Sequence, residues 1–391
     1  MKQFRVFRGL LALASGRRIS SATPWRRSGH AGPGLRIDLV GKVFLVLFSI
    51  AAQIPAEGPQ TETAAHDWRL DGKGFERVVD PAAEFFRGSV FDQAVGASES
   101  EARSLDTVFH LEHDVPIGDG LTLRVHEAFT LGAWLRWPHR AVLVSSSFTG
   151  ASWRAPIEGY NGHEILARQG LFTFTVDLLG TGGSSKPESG FDADFEAQVA
   201  ALEKVLRYIR FFRAVPEVDL LGDGYGSAIS NLLAADTWRV RSCVMTSNLY
   251  VEQVGGPAAD PAFQEMVRGD EDGYIYIPRD VFGVFVQGSP PEFQAYFAET
   301  QEGNLPAPSF MVAFDLPFFD PGVARVPGKI IQGEHDIVAG PNDPYLLAAA
   351  YGTDGADVVI IEGAGRAPRL ETPERAARFW QEVIDYLRSE P

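Results

Sequence analysis

Cysteine is nearly missing from these 391 residues: the single one, Cys243, lies in the apolar run "VRSCVM". One thiol rules out an internal disulfide, a thiolate metal site and a Cys-X-X-Cys redox pair. It reads as a small buried hydrophobe. Basic charge is scarce as well. The formal net charge is −16, and residues 1–42 hold +8, which leaves −24 on residues 43–391. Such an acidic body lacks the basic face that nucleic-acid phosphates need, so no nucleic-acid partner is expected. Long apolar runs are also absent. The segment "VFLVLFSIAAQI" (43–54) is too short to span a bilayer comfortably. It suits the core of a signal peptide, with Lys42 before it and Ser49, Ala51 and Ala52 nearby. Residues 1–56 therefore read as a targeting leader, and export is expected. The part before Lys42 is long for such a peptide, which allows a translation start near Val40. A mitochondrial-type transit peptide over 1–36 and an N-terminal membrane anchor are the alternatives. Membrane contact is expected only through this segment.

Residues 57–104 are polar, with scattered Pro, Gly and Glu, and read as a linker with short helices. From Thr107 the pattern changes. Two β-rich runs surround a Gly-Asp-Gly turn at 118–120, a hairpin signal. Strand and helix patterns then alternate: "RAVLVSSS", "NGHEILARQG", "LFTFTVD", the amphipathic stretch 192–212, "VDLL", "GSAISNLLAAD" and "VRSCVMTSN". Residues 250–325, rich in Pro, Gly, Phe and Tyr, break the alternation and read as a cap inserted over the sheet. The alternation resumes with "GKIIQG" and ends in a helix that starts at Thr372 and Pro373. The expected fold class is α/β, a doubly wound, mostly parallel sheet whose core is 105–249 plus 326–391.

The stretch "VDLLGDGYGSAIS" (218–230) runs from a strand through glycines into a helix. One reading is the G-x-G-x-G loop of an S-adenosylmethionine-dependent methyltransferase, made by Gly222, Gly224 and Gly226. That reading needs an acid at the end of the next strand to hold ribose hydroxyls. Here the strand ends in Thr246, Ser247 and Asn248. The other reading is a nucleophile elbow, small-x-nucleophile-x-small, in which only small residues fit beside the nucleophile.

Three more stretches fit the elbow. "VDLLGTGGSSKP" (176–187), "IIQGEHDIV" (330–338) and "IEGAGRAPRLETPE" (361–374) resemble, in order, the DxxGxGxSxxP loop, the acid-bearing GxxD strand end and the closing GxGHxxxxExPE loop of the α/β-hydrolase superfamily. The resemblance spans about 105–390 and implies an α/β-hydrolase type of fold with a cap. It also implies roles that this chain does not fill. The nucleophile position is Gly224, which has no atom to attack a carbonyl, and the histidine position is Arg366, which cannot take a proton at neutral pH. No histidine follows His335. Of the triad only the acid position, Asp336, keeps its residue type, and its expected partner is Arg366 in a bidentate ion pair.

The loop "SSSFTG" (145–150) stands where the superfamily's oxyanion loop would be, so Ser146, Ser147, Phe148 and the Tyr225 amide are the pocket and oxyanion candidates. The bland reading of Ser145 to Ser147 is a polar strand end. Asp223 and Ser227 are alternative nucleophiles, and the flanking residues Leu221 and Tyr225 argue against Asp223. His335 reads as a surface or packed histidine. The spacing of His110 and His113 resembles metal ligands with no third partner, so neither metal nor cofactor is expected. The expected function is a hydrolase-like protein without triad chemistry that binds a small apolar or carbonyl-containing ligand or a partner. The alternative is an active hydrolase, lyase or isomerase with a non-standard mechanism.

Overall fold

The two β-rich runs form a hairpin, β1 (Val108–Gly118) and β2 (Leu121–Thr130), in the computed structural model of the chain. The structure describes residues 105–389 apart from 137, 148–149, 279–282, 284, 287 and 301–302, so the leader and linker readings lie outside the described residues. The hairpin turn carries positive φ at Gly118, Asp119 and Gly120, a conformation that glycine adopts without a Cβ clash.

Eight strands follow: β3 (Ala141–Ser145), β4 (Phe172–Val176), β5 (Val218–Asp223), β6 (Val240–Thr246), β7 (Tyr274–Tyr276), β8 (Asn304–Pro306), β9 (Gly328–Gly333) and β10 (Ala356–Ile361). The main sheet runs β1-β2-β4-β3-β5-β6-β9-β10. Its first two pairings are antiparallel and the rest parallel. Every residue of β3, β4, β5 and β9 is buried, as expected for strands covered on both faces.

Side chains alternate between two apolar layers. Ala141 and Leu143 of β3 face one, Val142 and Val144 the other. The helices Phe195–Arg213 and Tyr225–Leu233 cover the first layer through Leu202, Leu206, Ile209 and Ile229. The helices Gly162–Arg168 and Pro373–Arg388 cover the second through Leu166, Phe379, Trp380 and Val383. Burying each of these large side chains stabilises the fold by about 1.5–3 kcal/mol. The helix Phe195–Arg213 starts at Asp194, whose carboxylate accepts from the Ala197 N–H at 2.8 Å.

Residues 250–325 contribute the helices Pro261–Arg268 and Pro291–Thr300, a short helix Pro308–Met311 and the two-stranded sheet β7–β8. Their apolar side chains, Ile275, Phe293, Leu305 and Phe310 among them, form a third cluster with Tyr160 and Leu370. Among the described residues, no helix is long and apolar enough to cross a membrane.

The long helix is pinned to β2 by a buried ion pair. Glu127 is fully buried and takes two hydrogen bonds from Arg213, at 2.5 and 2.6 Å. His113 Nε2 lies 2.9 Å from the same carboxylate. The Arg213 guanidinium lies 4.9, 4.9 and 4.5 Å from the rings of Phe129, Phe172 and Phe212. Burial alone would raise the Glu127 pKa, but Arg213 and His113 outweigh it and hold the carboxyl below its ordinary value. A depressed folded-state pKa gives stability that is present above the ordinary carboxylate range and lost as acid takes pH through the folded value. Glu127→Gln should strand the Arg213 charge and cost about 3 kcal/mol at neutral pH. Its melting temperature should also depend less on pH at the acid end. Equal thermal melts for wild type and variant at pH 7 would refute this.

Candidate functional site

At the end of β5 the chain turns sharply through Gly224, at φ 58° and ψ −118°, into the helix Tyr225–Leu233. The neighbours leave no other path. A Cβ at Gly222 would lie 2.5 Å from Ser227 Cα, and one at Gly226 would lie 2.2 Å from the Ser145 carbonyl oxygen. The Gly224 N–H donates to the Thr246 carbonyl of β6 at 2.9 Å, which ties the turn to the next strand.

The obstacle at Gly224 itself is different. A Cβ there would sit 1.9 Å from Ser147 Oγ. Ser147 reaches across from the end of β3, donates to the Asp223 carbonyl at 2.9 Å and accepts from the Tyr225 N–H at 3.0 Å. Two expectations change as a result. The Tyr225 amide, expected to be free for an oxyanion, is taken by a hydroxyl. The flanking glycines suit a serine at 224, but such a serine cannot enter while Ser147 keeps this rotamer.

Asp336 follows β9 and Arg366 follows β10. Arg366 Nη1 donates to both Asp336 oxygens, at 3.2 and 3.1 Å. The structure thus brings the two residues together with one nitrogen, not as the expected two-nitrogen fork. Gln332 Nε2 also donates to Asp336 Oδ2, and Arg366 Nη1 is shared with the Asn248 carbonyl at 3.5 Å. The Val338 and Ala339 amides complete the shell of Asp336 at 2.7 and 3.1 Å.

Asp223 lines the same cleft in a second ion pair. Arg369 Nη2 donates to Asp223 Oδ2 at 2.8 Å and to Ser152 Oγ at 3.1 Å, with its guanidinium 4.1 Å from the Trp153 ring. Burial pulls the Arg369 pKa down from the ordinary arginine value, and Asp223 opposes that shift. Sequence reasoning missed Arg369, Ser152 and Gln332. Arg369 stands in the closing loop three residues after Arg366, but its partner is 146 residues away, a separation no local pattern encodes.

The other candidates separate clearly. Ser146 is buried and lines the cleft. Phe148 lies outside the described residues. Ser227, weighed as a nucleophile, is not at the cleft: its hydroxyl donates to the Thr246 carbonyl at 2.7 Å and accepts from the Thr246 N–H at 3.1 Å. Ser145 is also internal, donating to the Gly226 carbonyl at 2.9 Å. His335 is exposed, and His110 and His113 face separate carboxylates, Glu164 and Glu127. Burial lowers the His163 pKa to about 3, which keeps that ring neutral. Among the described residues no histidine lines the cleft. Asp177, from the expected DxxGxGxS loop, accepts from the Gly183 and Gly150 amides at 3.0 and 3.3 Å. Burial works against its charge, but His126, Arg154 and the Gly183 amide bring its pKa down to about 2.

The cleft above this floor is about 160 Å³. Its polar side includes Ser146, Ser147, Asp223, Tyr225, Arg366 and Arg369, and its apolar side includes Leu249, Phe285, Phe297, Phe310, Phe318 and Val338. The Asp336–Arg366 pair ties together the loops after β9 and β10. Asp336→Asn, which leaves a largely buried guanidinium without its counter-charge, should destabilise the protein by about 3 kcal/mol. A thermal melt unchanged by the substitution would show that the pair holds nothing together.

The sequence matches the Alpha/beta hydrolase family over residues 132–379, more than half of the chain. No curated protein matches it. Solved structures with the same architecture include a bromoperoxidase from Bacillus anthracis, 18% identical, TM-score 0.54, covering 71% of this chain and 100% of that one. Another is a hydrolase from Pseudomonas aeruginosa, 19% identical, TM-score 0.53, covering 71% and 98%. A third is an esterase from a Rhodococcus species, 20% identical, TM-score 0.51, covering 72% and 99%. At these identities the likeness concerns the fold. The glycines of 222–226 therefore form an elbow between strand and helix, not a nucleotide loop, and the chain belongs to the Alpha/beta hydrolase family.

Proposed function

We propose that this protein binds a small ligand in the cleft over the elbow and does not hydrolyse esters there. One observation carries the reading. The space a nucleophile would fill holds the Ser147 hydroxyl, which also takes the Tyr225 amide that would stabilise an oxyanion. Neither consequence is compatible with acyl transfer by a triad. An attacking oxygen needs a base within hydrogen-bond reach, and the residue beside Asp336 is a guanidinium that stays protonated. The apolar wall opposite a few convergent polar groups is the usual make-up of a small-molecule site.

The test is an esterase assay with short-chain p-nitrophenyl esters, together with labelling by a serine-directed phosphonate. The wild-type protein should show no turnover above background and no covalent label. A product burst, or a label on Ser146 or Ser147, would sink the proposal.

Rebuilding the site tests the same reading from the other side. Gly224→Ser with Arg366→His supplies a nucleophile and a base, yet the new side chain has to displace the Ser147 hydroxyl from its two hydrogen bonds before the site can form. That double variant should remain at background. Adding Ser147→Gly clears the space and frees the Tyr225 N–H, an oxyanion donor worth about 10²–10³ in kcat. The triple variant should therefore exceed the double by about a hundredfold. Substantial turnover in Gly224→Ser alone would reveal a base within reach of residue 224, because nucleophile and base act as a unit.

A further inference from the structure

Two buried carboxylates of this protein each take Nε and Nη2 of one arginine. Arg213 holds Glu127 that way at 2.5 and 2.6 Å, and Arg241 holds Asp219 at 2.8 and 2.9 Å. That edge of the guanidinium matches the spacing of two carboxylate oxygens, so it gives a parallel pair of charge-assisted hydrogen bonds. Arg366 departs from this pattern. It lines the cleft, and it reaches Asp336 and the Asn248 carbonyl with Nη1 alone. Its Nε and Nη2 make no hydrogen bond among the described residues, and neither nitrogen is enclosed by protein. The carboxylate-matching edge of Arg366 is therefore unused.

The surroundings hold that edge in place and favour an anion beside it. Ser247 Oγ donates to the Arg366 carbonyl at 2.8 Å, and Asp336 anchors Nη1 at the other end of the side chain. Asp336 also accepts from Gln332 and from the Val338 and Ala339 amides, so Arg366 is one of several groups that answer its charge. Three residues on, Arg369 lines the same cleft at 4% exposure, and its Nε is buried without a partner among the described residues. A buried guanidinium that is only partly paired gains from a nearby negative charge. The carboxylate that already lines the cleft, Asp223, is held by Arg369 at 2.8 Å. Size limits the rest of the ligand. The cleft measures about 160 Å³, and an apolar protein cavity of about 150 Å³ is known to hold benzene. Phe285, Phe297, Phe310 and Phe318 wall it, surfaces that suit the face and edge of a flat ring.

We infer that the cleft takes a small monocarboxylate whose apolar body is about one six-membered ring, and that the free Nε and Nη2 edge of Arg366 holds its carboxylate at two points. The inference rests on the binding function proposed above and names the ligand class for that site. The neutral amide or alcohol of the same skeleton keeps the ring contacts and loses the charge-assisted pair.

Three probes with one skeleton test this: benzoate, benzamide and benzyl alcohol, measured at neutral pH by calorimetry or ligand-observed NMR titration. Each is titrated into the full chain as wild type, as Arg366→Lys, and as Arg366→Gln combined with Asp336→Asn. The combined variant removes both charges of the pair together, and thermal melts verify folding. Wild type should bind benzoate about tenfold or more tightly than either neutral probe, the scale of hydrogen bonds to a charged group. Arg366→Lys keeps the charge but not the two-point geometry, and should weaken benzoate about tenfold with benzamide unchanged. The combined variant should bring benzoate down to the level of benzamide. A crystal structure of the benzoate complex should place its two oxygens within hydrogen-bond reach of Arg366 Nε and Nη2. Three results would overturn the assignment while the binding function stands: benzoate no tighter than benzamide, a folded Arg366→Lys protein as tight as wild type, or the carboxylate seated away from Arg366. Failure of all three probes to bind wild type at millimolar concentration would overturn the ligand class as well. The binding function itself falls separately, through the ester turnover or covalent label described above.

Discussion

The turn at Gly224 is the constraint on which the rest of the site depends. Gly222 and Gly226 sit so close to Ser227 and to the Ser145 carbonyl that no side chain fits at either position. The chain must therefore leave β5 abruptly, and the helix must begin under the ends of β3 and β6. Two contacts lock that arrangement: the Gly224 N–H to the Thr246 carbonyl, and the paired hydrogen bonds between Ser227 and Thr246. Everything at the cleft floor inherits its position from this turn. The Tyr225 amide points at the end of β3, and the Asp223 side chain leaves the strand beside it.

Charge around the turn is held in two pairs, Asp223–Arg369 and Asp336–Arg366. Neither pair is a net source of much stability, because desolvating four charges costs about as much as their attraction returns. Their effect is conditional: with all four present the closing loop has one position, and removing any one leaves a buried charge alone. Within the loop, Glu371 accepts from the Gly365 amide and from Arg375 of the last helix. The closing loop is thus fastened to the elbow strand by the Asp223–Arg369 pair and to the strand end after β9 by the Asp336–Arg366 pair. Beside them the His335 N–H donates to the Ala364 carbonyl at 2.7 Å, and Ser247 Oγ to the Arg366 carbonyl at 2.8 Å. The two pairs add no net charge to the cleft between them.

Much of the architecture was legible in the sequence because it depends on local patterns. The Gly118-Asp119-Gly120 turn, the alternating β3 layer and the capped helix from Phe195 each follow from residues within one element. The order of four motifs placed Gly224, Asp336 and Arg366 at one site, since loops at the same edge of a parallel sheet converge. What could not be read was set by rotamers and by long separations. Nothing in "SSSFTG" says that the second of its pocket serines folds across the elbow, because that depends on the missing Cβ at 224. Ser227 looked available from its place after the elbow, yet one residue of helix rotation carries its hydroxyl to β6 and away from the cleft. Arg369 was visible as a residue, but its partner was not.

Gly224 and Ser147 are best understood together. A nucleophile at an elbow holds a non-glycine residue at positive φ, a strain of order 1–3 kcal/mol that the surroundings must sustain. Glycine takes φ 58° there without a Cβ penalty, and the vacated space admits the Ser147 hydroxyl. An oxygen is therefore still present at the elbow, carried by a different strand end. What separates it from a nucleophile is its surroundings. Its proton is directed to a backbone carbonyl, an acceptor that cannot carry the proton away, while a nucleophilic serine needs a general base in that place. Reactivity belongs to the pair of oxygen and base and not to the oxygen alone. In the binding role proposed above, the Ser147 hydroxyl is an oriented oxygen at the floor of the cleft, one that would contact a ligand without attacking it.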